Sequence, residues 1–145
     1  MSEAIPDAVA SVEVPFPVDR VWKALTDPAE INKYFFGTNV VTEWRVGGPI
    51  VWRGEWRGKR YEDHGRVVEF DPPRRLRVTH FSPLTGLPDL PENYHTVTYE
   101  LAEAGNGTQV TITQGSNRSR DEIAEAEKTW QMVLGNLRDY LSHQD

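Results

Sequence analysis

The sequence contains no cysteine, which excludes disulfides, a thiolate zinc site and a thiol nucleophile. It has no apolar run near the roughly 18 residues of a membrane span, and no basic-then-apolar signal segment at its N-terminus. No membrane span is expected, and the expected location is cytoplasmic. The four histidines (His64, His80, His95, His143) stand far apart and form no His-Glu-x-x-His or other paired metal spacing, so no metal is expected. No Gly-x-Ser-x-Gly elbow, dinucleotide fingerprint or phosphate loop occurs, and no cofactor is expected. The sequons at Asn106–Thr108 and Asn117–Ser119 are read as chance matches, since no export signal accompanies them.

What is present fits one globular domain over residues 1–145, a length that buries about two-thirds of its unfolded surface. The net charge of −6 is unevenly placed. Residues 45–77 hold nine Lys/Arg against five acids, so the rest of the chain is strongly acidic. A basic stretch can meet phosphate, but arginines interleaved with acids along strands read as a solvated sheet face. No nucleic-acid partner is expected.

The clearest periodic segment lies at the C-terminus. Ile123, Ala126, Trp130, Val133, Leu134, Leu137, Tyr140 and Leu141 recur at steps of three and four, which predicts a helix from Ser119 to Ser142 with one apolar face. Ser119 and Glu122 form a capping box. Such a helix is roughly 36 Å long and needs a broad apolar partner.

The preceding residues supply it. Val9–Phe16 alternates as a half-buried strand, with Val12, Val14 and Phe16 on one side. Val18, Val21, Trp22 and Leu25 follow helical spacing; Asp27-Pro28 opens a second short helix that Gly37 ends. Residues 38–114 read as six strands (40–44, 50–56, 60–70, 76–82, 94–101 and 108–114) separated by Gly, Pro, Asn and Asp turns, hence an antiparallel meander. The fold class is therefore α+β: a curved seven-stranded antiparallel sheet, ordered β-α-α-β6-α, against one long helix. Parity places Leu76, Val78, His80 and Ser82 on one inward face, and His95, Val97, Tyr99 and Leu101 on another. Ile50, Trp52 and Trp56 share a face. In 60–70 parity is ambiguous, because Val68 and Phe70 pull one way and Val67 the other, so Tyr61 and His64 are not placed.

This order of elements resembles the helix-grip superfamily of START lipid-transfer domains, the birch pollen allergen and polyketide cyclases (SRPBCC). Within it the chain is similar to the branch named for the activator of the heat-shock protein 90 chaperone ATPase. The similarity rests on Pro17–Pro28 (PVDRVWKALTDP), Gly65–Leu76 (GRVVEFDPPRRL), Gly107–Gln114 (GTQVTITQ), and Trp130 with Leu134, Leu137, Tyr140 and Leu141. These residues are turns, caps and core, so they speak to fold more than to function. The resemblance implies a cavity between long helix and concave sheet, used across the superfamily for apolar molecules.

On that basis Phe35, Phe36, Trp52, Trp56, His80, His95, Tyr99, Trp130, Leu134 and Leu137 are the candidate lining of a site for a small hydrophobic ligand of lipid, polyketide or aromatic type. The same aromatics would otherwise fill the core, and each histidine would otherwise be a core or rim residue bonded to backbone. A second reading makes His80 and His95 an acid/base pair in a cyclase- or hydrolase-type enzyme, with Tyr99 donating to an oxyanion. A third is a protein-interaction domain that forms a homodimer or engages a chaperone. The connection 82–93, with Leu84, Leu87 and Leu90 among three prolines, reads as a lid or as a flap over the sheet edge. Gly135 either leaves room for a ligand or lets the helix lie close to a strand.

Overall fold

In a computed structural model, residues 5–143 are described. β1 (Ala8–Val14) is followed by α1 (Val18–Thr26) and α2 (Pro28–Tyr34), then by β2 (Asn39–Thr42), β3 (Pro49–Trp56), β4 (Lys59–Asp71), β5 (Arg75–His80), β6 (His95–Ala104) and β7 (Gly107–Gly115), and finally by α3 (Arg120–Ser142). The strands form one antiparallel sheet in the order β1-β7-β6-β5-β4-β3-β2. Consecutive strands from β2 to β7 are neighbours, as short reversals require. Only β1 is displaced, to the far edge beside β7, so α1 and α2 carry the chain from one edge of the sheet to the other. This is the α+β helix-grip arrangement that the sequence predicts. No helix among the described residues is long and apolar enough to cross a membrane.

Asp27 divides the two short helices. Its backbone N–H closes α1 on the Lys23 carbonyl, while its carboxylate accepts from the Ala29 N–H, with Pro28 in the first turn of α2. Val18, Val21, Trp22 and Leu25 are all buried, and the Tyr34 hydroxyl donates to the Ala24 carbonyl, which pins α2 to α1. At the start of α3 the Ser119 hydroxyl accepts from the Glu122 N–H at 3.1 Å. The reciprocal half of the capping box is displaced by one residue: Glu122 accepts instead from the Arg118 N–H at 2.8 Å. Val133, Leu134, Leu137 and Leu141, in the C-terminal half of α3, are buried, whereas Ile123, Ala126 and Trp130 are only half-buried. The apolar stripe is thus packed at one end of the helix and open at the other.

Several boundaries differ from the predicted ones. β2 stops at Thr42 because Trp44 turns out of the strand with φ of 53°, stacks on Phe70 at 5.7 Å and donates its indole N–H to the Thr26 carbonyl. β5 ends at His80, two residues early, and β6 runs on to Ala104. The conflict in 60–70 is resolved by a bulge between Val67 and Glu69. Val67 and Phe70 both face the core while Val68 is 45% exposed, so no single alternation fits both ends of β4. Gly65 is required where β4 passes β5, since a Cβ there would lie 1.8 Å from the Thr79 carbonyl oxygen. Gly135 is different: a Cβ would meet nothing within 4 Å, so it marks no close approach to a strand.

Candidate functional site

Where α3 is only half-buried, a cavity of about 680 Å³ opens between it and the concave face of the sheet. That volume lies within the roughly 300–1,000 Å³ of small-molecule sites. The sheet contributes Trp52 from β3, Tyr61 and Asp63 from β4, Val78 and His80 from β5, His95, Val97 and Tyr99 from β6, and Gln114 from β7. The helix contributes Glu122, Ala126, Thr129 and Trp130; Phe35, Phe36 and Leu84 of the 82–94 connection also border it.

Of the ten residues predicted to line a site, Phe35, Phe36, Trp52, His80, His95, Tyr99 and Trp130 border this cavity. Leu134 and Leu137 do not. Both are fully buried, and they line only a void of about 30 Å³ deeper in the core. Helical geometry explains the difference, because one turn beyond Trp130 the helix sinks onto the sheet and leaves no open face. The backbone of Trp56 ends β3, and its side chain lies outside the described part of the structure.

The aromatic wall is built from edge-on contacts. Trp130 meets Phe35 at 5.7 Å and Tyr99 at 6.0 Å, with interplanar angles of 82° and 84°. Its indole N–H donates to Gln114 Oε1 at 2.8 Å, and the Gln114 amide donates to Asn117 Oδ1 at 3.0 Å. The ring is therefore fixed by β7 instead of being free to fill the space.

His80 and His95 are cross-strand partners on neighbouring strands and share the cavity face. Among the described residues neither ring is bonded to backbone. His80 Nε2 lies 2.9 Å from Asp63 Oδ2, and His95 Nε2 lies 3.0 Å from Glu122 Oε1. Trp52 sits edge-on to the His80 ring at 5.0 Å. Two imidazole–carboxylate pairs thus stand side by side on the cavity wall. In the neutral tautomer that donates Nε2–H to its carboxylate, a ring leaves Nδ1 as a lone pair. Burial would raise the Glu122 carboxyl, but hydrogen bonds from His95 and the Arg118 N–H hold it below its ordinary range. Asp63 Oδ1 has no partner and is sealed from solvent.

Asp63, Tyr61, Gln114 and Glu122 were not legible as site residues. Tyr61 and Asp63 share the inward parity of Val67, a signal hidden by the bulge. Glu122 was visible only as a cap. His64, which parity left open, lies outside the cavity: its Nε2 is 2.9 Å from Asp89 Oδ2 and 3.1 Å from the Tyr94 hydroxyl, so it tethers the 82–94 connection. There Tyr94 is pushed up to about 12, first by burial and then by Asp89, while Asp89 is lowered by the hydrogen bond from Tyr94. Among the described residues no group of three or more His, Cys, Asp or Glu is arranged to hold a metal.

A family profile described as "Activator of Hsp90 ATPase homolog 1-like protein" matches residues 15–142. The chain belongs to that family. It has solved structural relatives of nearly equal length. The solution structure of ChR145 from Cytophaga hutchinsonii is 42% identical, with 97% of each chain covered and a TM-score of 0.84. CalU16 from Micromonospora echinospora is 27% identical over 97% of this chain and 82% of its own, with a TM-score of 0.75. The Aha1 dimer from Colwellia psychrerythraea, 18% identical over 96% of this chain and 98% of its own, shares the fold with a TM-score of 0.75. No curated protein matches. Family membership and the cavity together support a ligand-binding domain in the general sense.

Proposed function

We propose that the chain, acting as one domain, binds a small hydrophobic molecule of lipid, polyketide or aromatic type between α3 and the sheet. The observation that carries this reading is the aromatic-walled cavity of about 680 Å³, apolar at its base and polar at one end. Native mass spectrometry of the purified protein tests it: a co-purifying mass of a few hundred daltons, lost on organic extraction, is expected. Spectra with no added mass, together with no uptake of apolar aromatic probes, would overturn it.

A second reading is favoured by the pairing of His80 with Asp63 and of His95 with Glu122, since a carboxylate-backed imidazole is suited to general base work. It predicts slow turnover of activated aryl esters that His80→Gln and His95→Gln each abolish. Turnover unchanged in both variants would remove it. Self-association or a chaperone partner comes third; its support is the family description, the dimeric Colwellia neighbour and the exposed Leu84, Leu87 and Leu90.

A further inference from the structure

Phe35, Trp52, Val78 and Tyr99 border both the large cavity and the small void beneath it, so they form the partition between the two. Most polar tips around that partition are already occupied. Trp130 donates to Gln114, Tyr61 is paired with Thr38, and the Nε2 atoms of His80 and His95 face carboxylates. On the void side, Tyr34 donates to the Ala24 carbonyl and Trp44 to the Thr26 carbonyl. The Tyr99 hydroxyl differs. It has no hydrogen-bond partner among the described residues and is not among the sealed, unpartnered atoms, so protein does not close it off, and Tyr99 borders both spaces.

We infer that the ligand carries a carbonyl-type acceptor oxygen that takes a hydrogen bond from the Tyr99 hydroxyl, its hydrocarbon body lying along Trp130 and Phe35. This rests on the hydrophobic-ligand reading above. A ligand hydroxyl suits the position less well, because a pair of hydroxyls leaves one proton without an acceptor, and the ring beside Tyr99 is that of Trp130, whose only polar atom is a donor already bonded to Gln114. A carbonyl brings no proton to satisfy. Burial pushes the Tyr99 phenol well above its ordinary value of 10.0, so the hydroxyl remains a donor at every physiological pH. A water in the void would find few further partners, since the void is lined almost wholly by apolar side chains.

The strand sets a second constraint. His95, Val97 and Tyr99 face inward at successive alternate positions of β6, so His95 and Tyr99 stand about 13 Å apart along it. The ligand class is therefore an elongated, mostly apolar molecule with a carbonyl in its body and a second polar group at the histidine end.

Equilibrium dialysis of 9-fluorenone and fluorene, the same skeleton with and without the carbonyl, tests the Tyr99 contact. The wild-type protein is expected to bind fluorenone about two- to tenfold more tightly. Tyr99→Phe is expected to remove that preference while leaving fluorene binding unchanged. Trp130→Phe, which keeps the hydroxyl, is expected to weaken both compounds and retain the preference. The infrared carbonyl stretch of fluorenone bound to wild-type protein gives a readout that needs no variant: a shift to lower wavenumber than in hexane is expected. An unshifted stretch, no preference in wild type, or a preference that survives Tyr99→Phe overturns the inference and leaves the cavity reading standing. If neither compound binds, both fail.

Discussion

Glu122 joins α3, the connection before it and β6 through one carboxylate. It accepts from the Arg118 N–H ahead of α3, from the Arg118 guanidinium at 3.1 Å, and from His95 on β6. Its pKa is lowered in the fold, so the stability it contributes is present above the ordinary value of 4.5 and is lost as pH falls through the lower folded value. Urea unfolding from pH 7 to pH 3 should therefore show wild type exceeding Glu122→Gln at neutral pH, with the gap closing below pH 4.5. Parallel curves would mean that the pairing contributes nothing. A second residue-scale outcome concerns Gly135. Its added Cβ would meet open space in the middle of a helix, so Gly135→Ala should stabilise by about 0.5–1 kcal/mol in thermal melts. A loss of stability there would mean that the glycine has a role in binding or packing. The cap of α3 was legible because capping is local in sequence. The pairing of Glu122 with a histidine 27 residues away was not, since that contact exists only once the helix has docked on the sheet.

At the scale of elements, α1, α2 and α3 are tied by one buried carboxylate. Glu30 Oε1 accepts from Arg20 at 2.7 Å and from the Tyr140 hydroxyl at 2.8 Å. Arg20 Nη1 and Glu30 Oε2 have no partner, so the cluster is incompletely satisfied, and its stabilising effect lies in not leaving a charge alone. Glu30→Ala should destabilise by about 3 kcal/mol in urea titrations, because it strands the guanidinium. Tyr140→Phe should cost only about 1 kcal/mol, a single hydrogen bond lost. Equal losses from the two would argue against the charge as the dominant cause. Sequence periodicity found all three helices and all seven strands because each has one buried face. It failed where a face changes sides: at the Val67–Glu69 bulge, where one extra residue reverses the alternation, and at Trp44, which leaves its strand to bury an indole. Tyr61 and Asp63 were lost to the first of these, and with them half of the polar end of the cavity.

For the whole molecule, what matters is where α3 stops being a packing element and becomes a wall. As far as Met132 the helix borders the cavity, and from Val133 onward its apolar stripe is core. Two substitutions on the same face should therefore have opposite profiles. Ala126 is half-buried and lines the cavity, so Ala126→Trp projects its ring into the cavity and not into packed core. The overpacking cost of about 1–3 kcal/mol that a filled core imposes does not arise there. The melting temperature should move by no more than about 3 °C, while binding of fluorene falls at least tenfold by equilibrium dialysis. Leu134, at the other end of the stripe, is fully buried. Leu134→Ala should cost about 3 kcal/mol through lost burial and a residual cavity, with fluorene affinity in the still-folded fraction little changed. Fluorene affinity that falls for Leu134→Ala but not for Ala126→Trp would place the ligand deeper, in an enlarged form of the inner void, and would return Leu134 and Leu137 to the lining of the site.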